Sequence, residues 1–363
     1  MQRVCLLLLL CLGFSFSMAQ TDHYIISRQG TITLMPLYQN WSIKDGAHFS
    51  EFGTGLAVYL PVSRIMNFSL RAGQFSTGGD VSRLGGLTDI MAGFSYHWEA
   101  ANIVFSCGLN LPSGKTNLTD DQFATSVLFS ATVFNMQYPN FGQGVGINPG
   151  ITWVFPANDN LVLGFGVSYQ YKGKYVPHEG MDQYTPGGEL IMTAGADLRL
   201  TEMQTLSGDV LFTHYGTDKI GSEKVFASGN AYSGNLQYRQ FIRENELWVL
   251  LRYRGKAKGE IATSGGLVPE PERIEPSRFE IQAQYKWSIN TRFSLRFLAE
   301  GRFYETTPAT YSGVSVIGLG VLPAISLPSG LTFPARVKYQ MGLQSGKSKF
   351  TGIEVGIGVG FLF

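Results

Sequence analysis

Residues 353–363 read I-E-V-G-I-G-V-G-F-L-F. The odd-numbered positions of this stretch are large and apolar, whereas the even-numbered positions are a glutamate and three glycines until Leu362 breaks the pattern. Because successive side chains of a β-strand point to opposite faces, the stretch predicts a strand with one apolar face and one nearly bare face.

The same two-residue period recurs along most of the chain, with clear examples at 54–60, 90–98, 161–171 and 279–287. No uninterrupted apolar run of about 20 residues, the length of a membrane-spanning helix, follows residue 20. A chain of this kind can cross a membrane only as a closed barrel, in which every backbone group is paired. The alternating segments predict an all-β fold, a transmembrane antiparallel up-and-down barrel of about sixteen strands. The alternative is fourteen strands, if two weak ones merge.

Two further patterns point to a bacterial outer membrane. The connections between strands alternate between short and long, with long ones expected near Lys44 and Ser345 among others, and outer-membrane barrels have short periplasmic turns and longer outer loops. Tyrosine and tryptophan recur where the apolar faces end, for example at Trp98, Trp153 and Trp287. Such residues favour the two membrane–water boundaries. We therefore expect outer-membrane lipid to surround the barrel.

The composition and the first residues agree with this prediction. Charged residues make up 15% of the 363 residues and the net charge is +1, so nothing indicates a nucleic-acid partner. Arg3, an apolar run over 4–16 and the small residues around Met18 predict a signal peptide at 1–19, cleaved after Ala19. The barrel domain would then span residues 20–363. A single membrane anchor is the alternative, which the shortness of the apolar run disfavours.

The segment 113–142 interrupts the strand rhythm. Thr119, followed by two aspartates and Gln122, is typical of a helix N-terminus, and residues 123–134 contain neither glycine nor proline. We expect a short amphipathic helix here. An exposed loop would hardly keep so many apolar side chains in water, so the segment is a candidate plug of the lumen, with a loop packed over the rim as the alternative. The plug candidates are Phe123, Val127, Phe129 and Phe134.

Charged residues fall mainly on the polar faces of the strands, which are expected to line the lumen. One interpretation is a positive stripe that favours anionic or carboxylate-bearing solutes. The other, which we favour because glutamates lie among the bases, is a set of cross-strand ion pairs that stiffen the wall. The lumen-lining candidates are Arg71, Asp89, Glu189, Asp197, Arg199, Arg239, Arg252, Arg254, Glu280, Lys286, Arg296, Glu300, Arg302, Arg336, Lys338 and Glu354.

Catalytic and metal-binding patterns are absent from the sequence. None of the five histidines lies in a recognisable nucleophile motif, and no histidine or cysteine cluster has ligand spacing. We expect no enzyme activity, no cofactor and no metal site. A barrel lipid hydrolase is the least favoured alternative, because it would need a positioned nucleophile and base.

Two resemblances extend this interpretation. The last strand resembles the C-terminal strand of bacterial outer-membrane barrels, which implies that Val359, Phe361 and Phe363 form the signal read by the barrel-insertion machinery. The motifs Gly-Leu-Thr-Asp at 86–89, Gly-Phe-Ser-Tyr at 93–96 and Leu-Asn-Leu-Pro-Ser-Gly-Lys at 109–115 resemble the outer-membrane channel family of the "MetA pathway of phenol degradation" type. That family is distantly similar to FadL-type channels for hydrophobic compounds.

The second resemblance implies passive uptake of small solutes, hydrophobic or aromatic ones among them, across the outer membrane. The strand pattern begins near Gly30 and leaves no place for the long N-terminal hatch of fatty-acid channels, so lateral exit is not implied. A general diffusion porin and a structural or adhesive barrel remain alternative functions. We also expect the bare face of Gly356, Gly358 and Gly360 to leave local room in the lumen.

Overall fold

The fold is a closed antiparallel barrel of sixteen long strands in a computed structural model, which describes residues 29–44, 46–138, 142–344 and 349–363. The first strand pairs with the last along most of its length, with Leu37 opposite Gly356 and Ile32 opposite Phe361. Closure leaves no free strand edge. The prediction of an all-β barrel with sixteen strands is confirmed, and the predicted signal peptide at 1–19 lies outside the described residues.

The barrel strands are numbered in chain order, and the last is continued across a short interruption by Val359–Leu362. They are β1 (Thr31–Ile43), β2 (His48–Pro61), β3 (Met66–Gly79), β4 (Ile90–Trp98), β5 (Ile103–Leu111), β6 (Gly146–Asn158), β7 (Leu161–Lys172), β8 (Glu189–Thr201), β9 (Gln204–Tyr215), β10 (Ala231–Ile242), β11 (Asn245–Lys256), β12 (Arg278–Ser288), β13 (Phe293–Tyr304), β14 (Val314–Ser326), β15 (Leu331–Gln344) and β16 (Lys349–Ile357). A short strand, Gly85–Leu87, pairs with β3, and a 3-10 turn spans Glu99–Ala101.

The two ends of the barrel differ in their connections. Turns of two to four residues join the strands at one end, here called the turn end. The opposite loop end carries connections of up to 34 residues, of which 112–145 is the longest. The connections after β1 and β15, at 44–47 and 345–348, are as short as the turns, so the prediction of long loops there was wrong.

The outer face of the barrel is apolar, as the alternation predicts. Large side chains such as Phe165, Leu319 and Ile357 are exposed on it. Exposed aromatic side chains lie towards both ends of this face, with Trp98 and Trp287 near the turn end and Tyr171 and Tyr232 near the loop end. Within the described ranges, no helix is both long and apolar enough to cross a membrane.

The bare face of the last strand does not leave the predicted room. A Cβ atom on Gly356 would lie 2.7 Å from Cδ1 of Leu37, and one on Gly358 would lie 2.9 Å from the backbone oxygen of Leu34. At Gly360 the nearest atom is Oγ1 of Thr332, at 2.3 Å. Neighbouring strands therefore fill the space that the missing side chains leave, and the expectation of local room was wrong.

A second, five-stranded sheet lies among the loops at the loop end. Its strands, the loop-end sheet, are Gly266–Pro269, Glu260–Thr263, Glu223–Ala227, Thr217–Ile220 and Tyr184–Thr185, in spatial order. The alternation does not predict these strands, because they are only two to five residues long. Cross-strand pairing between three separate connections holds them together.

Helix α1 (Asp120–Ser130) begins where the sequence predicts. The hydroxyl of Thr119 accepts a hydrogen bond from the backbone N–H of Gln122, whose side chain in turn accepts from the backbone N–H of Thr119. This reciprocal capping box satisfies two N–H groups that lack partners within the helix. The helix ends at Ser130, four residues before the predicted end, and residues 132–134 form a turn.

Candidate functional site

The long connection 112–145, here called the inserted segment, packs against the inner wall of the barrel; its residues 139–141 are not described. Phe129 and Phe134 are completely buried in one apolar cluster with Trp41, Phe49 and Phe350 of the wall. The ring of Phe134 lies 4.9 Å from that of Phe49 and 5.4 Å from that of Trp41, both in edge-to-face geometry. Edge-to-face pairs add to the stabilisation from apolar burial.

A second apolar cluster connects the inserted segment to the loop end. Phe123 and Val127 pack there with Phe75 and Leu84, and Met181 and Ile220 from the loops contact the same cluster. His178 pairs with the carboxylate of Asp120 at the start of α1. The inserted segment is thus held between the barrel wall and the loop-end sheet.

Polar side chains of the wall hold the turn that follows α1. Gln39 accepts a hydrogen bond from the backbone N–H of Gln137 at 2.7 Å and donates to the carbonyl of Asn135 at 3.2 Å. The guanidinium of Arg302 and the hydroxyl of Tyr304 both donate to the carbonyl of Thr132, at 3.3 and 2.9 Å. These bonds satisfy backbone groups that would otherwise be buried without partners.

Tyr138 lies flat on a patch of wall that has no side chains. A Cβ atom on Gly53, Gly55 or Gly73 would lie 2.2–2.7 Å from atoms of its ring or hydroxyl. Its backbone N–H donates to the buried carboxylate of Glu51 at 3.2 Å. Burial, and to a lesser extent the charge of Glu51, raise the pKa of Tyr138 to about 12. The phenol therefore stays protonated at neutral pH, and the three glycines shape the wall for its ring.

Both ends of the inserted segment are tied to Asp89. Its carboxylate accepts hydrogen bonds from the backbone N–H groups of Gly114 and Gln143, each at 2.8 Å, and from the side chain of Asn110 at 3.0 Å. Ser113 donates to the carbonyl of Thr88 at 2.8 Å beside them. Motif residues from 86–89 and 109–115 that carry the family resemblance thus meet at the base of the inserted segment.

Replacing Asp89 by alanine is expected to loosen the inserted segment without unfolding the barrel. Each hydrogen bond to a charged acceptor contributes about 1.5–3 kcal/mol, and this change removes three. Limited trypsin digestion of the folded protein should then cleave after Lys115 faster than in the wild type. The control is Asp209→Ala, whose carboxylate accepts from Asn235 on the wall at 2.6 Å. Equal cleavage in all three proteins would contradict this role of Asp89.

A group of buried ion pairs joins β13, β15 and β16 on the inner face. The ammonium of Lys338 lies 2.9 Å from Glu354 and 3.4 Å from Glu300, and its side chain is only 3% exposed. Arg336 pairs with Glu354 at 2.7 Å. The side chain of Gln39 also donates to Glu354 at 3.3 Å. Charges this deeply buried are stable only when paired.

An arginine-rich patch covers the inner faces of β11, β12 and β13. In one row of the sheet register, Arg252 lies opposite Glu280, which lies opposite Arg302. In the adjacent row Arg254 lies opposite Arg278, which lies opposite Tyr304. Glu280 pairs with Arg278 at 2.7 Å and with Arg252 at 3.4 Å. These six residues are called the arginine grid below.

The remaining lumen-lining candidates are spread around the barrel rather than gathered in one place. Glu189 is buried beside Lys172, and Arg239 pairs with Glu246 at 3.0 Å. Arg199 is exposed near the turn end and donates to the carbonyl of Asp159. The last four candidates are exposed or partly exposed at other positions of the wall: Arg71, Asp197, Lys286 and Arg296.

Val359, Phe361 and Phe363 lie at the turn end with their side chains exposed. The rings of Phe361 and Phe363 are nearly parallel, with centroids 5.7 Å apart. Phe363 also exchanges backbone hydrogen bonds with Gly30, the residue that precedes β1. The three side chains therefore form an accessible apolar row at the seam where the barrel closes.

Several residues of the interior were not predicted from the sequence. Gln39, Glu51 and Gln340 are buried at the wall, and Arg302 donates to Gln340 at 2.5 Å. Glu51 has the same parity as Gly53 and Gly55, so extending the alternation by two residues would have placed it on the inner face. Tyr138 carried no such signal, because it lies outside the strands. Among the described residues, no group of three or more His, Cys, Asp or Glu side chains is placed to hold a metal ion.

Comparisons with known proteins add the shape of the fold only. No family model and no curated protein matches the chain. Solved structures that are similar to it include the CymD monoaromatic hydrocarbon channel, with a TM-score of 0.47 and 11% identity over 93% of this chain and 89% of that one. OpdQ of Pseudomonas aeruginosa has a TM-score of 0.46 and 10% identity, over 92% and 99% of the two chains.

A third similar structure is OprD of Pseudomonas aeruginosa, with a TM-score of 0.43 and 8% identity over 96% of this chain and 99% of that one. Similarities at this level do not discriminate between functions, since a polysaccharide secretin gives a TM-score of 0.45. The function of this chain therefore has to be inferred from its own residues.

Proposed function

We propose that the protein is an outer-membrane channel for the passive uptake of small solutes, hydrophobic or aromatic ones among them. The observation that carries the proposal is the closed sixteen-strand barrel with an apolar outer face and a segment packed inside it. A barrel of this size leaves an aqueous channel unless something fills it. An apolar outer face suits lipid, whereas a soluble barrel would place this face in water.

In this proposal the inserted segment is a plug that narrows the lumen. Phe123, Val127, Phe129 and Phe134 hold it against the wall through the two apolar clusters, and Asp89 holds its ends. Charged side chains on the part of the wall that the inserted segment leaves uncovered would line the route of the solute. A segment that narrows the lumen favours a selective channel over a general diffusion porin.

The location and assembly belong to the same proposal. It includes export by a signal peptide at 1–19 and recognition of Val359, Phe361 and Phe363 by the barrel-insertion machinery. It also includes outer-membrane lipid as the surroundings of the barrel. The apolar row at the closure seam supports it, because these side chains stay accessible at the turn end. The membership of the phenol-degradation type of channel family is proposed on the motif resemblance alone.

Planar bilayer recordings and an uptake assay test the function together. We expect the purified protein to give small, discrete conductance steps, and cells that lack it to accumulate radiolabelled toluene more slowly than complemented cells. A large, weakly selective conductance with unchanged toluene uptake would favour the diffusion porin. If the protein gives no conductance and its loss does not change toluene uptake, the proposal is overturned and a structural or adhesive barrel is favoured.

A further inference from the structure

The arginine grid carries more positive charge than its own carboxylate offsets. Four guanidinium groups and one carboxylate occupy five of six neighbouring positions on three adjacent strands, and Tyr304 occupies the sixth. Glu280 is the shared partner of Arg252 and Arg278. Lys256, in the next row, is already paired with Glu275 at 2.7 Å.

The neighbouring acids do not remove this excess. Glu300 lies 3.7 Å from Arg302, but it lies closer to Lys338, at 3.4 Å. Glu354 is shared between Lys338 and Arg336. Outside the grid, Lys338 and Arg336 therefore balance these two acids, and the positive excess of the grid itself remains.

One pair of residues in the grid opposes the usual rule for sheets. Arg254 and Arg278 are direct cross-strand partners on the inner face. Like charges directly opposite each other destabilise a sheet, and an anion bound between them would offset this repulsion. Wall stiffening alone would be served better by an acid at one of the two positions, as in the adjacent row, where Arg252 lies opposite Glu280.

Part of the grid is accessible from the lumen, whereas Arg302 and Tyr304 are buried beside the inserted segment. The side chains of Arg252, Arg278 and Glu280 keep 15–19% of their exposure. Arg302 and Tyr304 hold the Thr132 carbonyl of the inserted segment. A partly buried site with reduced dielectric strengthens the attraction of an anion well beyond its value in water.

We propose that the arginine grid is a binding site for the carboxylate of a small organic solute. The planar guanidinium groups can bind the two carboxylate oxygens side by side, which a neutral group of the same shape cannot match. The inference rests on the proposed function in one respect, because the solute would reach the site through the lumen. It adds to the proposed solutes a defined class, aromatic molecules that carry an acid group.

Calorimetric titration of the detergent-solubilised mature protein tests the site without requiring conduction. Benzoate is the probe and benzamide, a neutral molecule of nearly the same shape, is the matched ligand. We expect benzoate to bind at least about tenfold more tightly than benzamide, the effect of one charge-assisted hydrogen bond. Arg278→Gln should lose about tenfold in benzoate affinity for the same reason, and benzamide binding should not change.

Two further variants make the test independent of the folding of Arg278→Gln. Glu280→Gln removes the only carboxylate of the grid and should tighten benzoate binding, which a damaged fold would not do. Arg239→Gln removes a base of the inner face outside the grid and should leave benzoate binding unchanged. Boiling-dependent gel mobility would verify that each variant is folded.

The outcomes separate this inference from the proposed function. Equal affinity for benzoate and benzamide, or no change in Glu280→Gln and Arg278→Gln, would overturn the carboxylate site even if the protein conducts. Selective benzoate binding in a protein that neither conducts nor supports uptake would overturn the channel instead. Complete displacement of benzoate by equimolar inorganic phosphate would show a general oxyanion site and contradict the assignment to carboxylates.

Discussion

Replacing Gly53 by leucine is expected to expel the Tyr138 ring from the wall and to raise the single-channel conductance. The reason is steric, because a Cβ atom at Gly53 would lie 2.2 Å from Cε2 of Tyr138. The ring cannot stay on the wall at that distance, and this part of the inserted segment loses its contact with the wall. We expect an increase of about threefold or more, since an unfilled barrel of this size encloses an aqueous channel.

Planar bilayer recordings of two further variants distinguish plug displacement from a general disturbance of the wall. Gly164→Leu adds the same side chain to the inner face of β7, where the nearest atom to a new Cβ is 4.0 Å away, and it should not raise the conductance. Tyr138→Ala removes the ring while the wall stays intact, and it should resemble Gly53→Leu. Wild-type conductance in both Gly53→Leu and Tyr138→Ala would mean that the inserted segment does not narrow the route.

Replacing Lys338 by methionine should destabilise the barrel by about 3–5 kcal/mol, the usual cost of breaking a buried ion pair. The ammonium is the common partner of Glu300 and Glu354, and Glu354 is only 2% exposed. Methionine fills a similar volume but leaves two buried carboxylates close together. Urea unfolding in lipid vesicles, followed by the change in gel mobility, measures the free energy of unfolding.

A matched lysine and a double variant complete this experiment. Lys286→Met changes a partly exposed lysine of the inner face, for which the described residues provide no ion pair within 4.0 Å, and should cost less than about 1 kcal/mol. Adding Glu354→Gln to Lys338→Met should recover part of the lost stability, because it removes the repulsion between the two carboxylates that Lys338 had joined. If Lys338→Met and Glu354→Gln together cost the sum of what each costs alone, these two residues do not act as a pair.

The strands and one anchor of the inserted segment could be predicted from residues close together in sequence. The alternation at 279–287 identified the outer and inner faces of β12, and the Thr119 capping pattern identified the start of α1. Asp89 was predicted by parity to lie on the inner face, and its hydrogen-bond partners were not predicted. Gly114 and Gln143 are 29 residues apart along the chain, and only the folded chain brings them to one carboxylate.

Other features were outside the reach of pattern analysis. The loop-end sheet depends on pairing between three connections that share no common period. The glycines of β16 were interpreted as open space, because a sequence shows a missing side chain but not the Leu37 side chain that occupies its place. Tyr138 could not be predicted for the same reason, because its position depends on three glycines in two other strands.

The sequence by itself determined that the chain forms alternating strands, which faces are apolar, and which charged residues point away from those faces. These are local properties, because the two-residue period of a strand is set by its own backbone. The tertiary structure alone decided the partners across the strands: Arg254 opposite Arg278, Lys338 between two glutamates, and Tyr138 on bare wall. Register and closure depend on contacts between residues far apart in the chain, and a shift of one residue would turn every side chain of a strand to the other face.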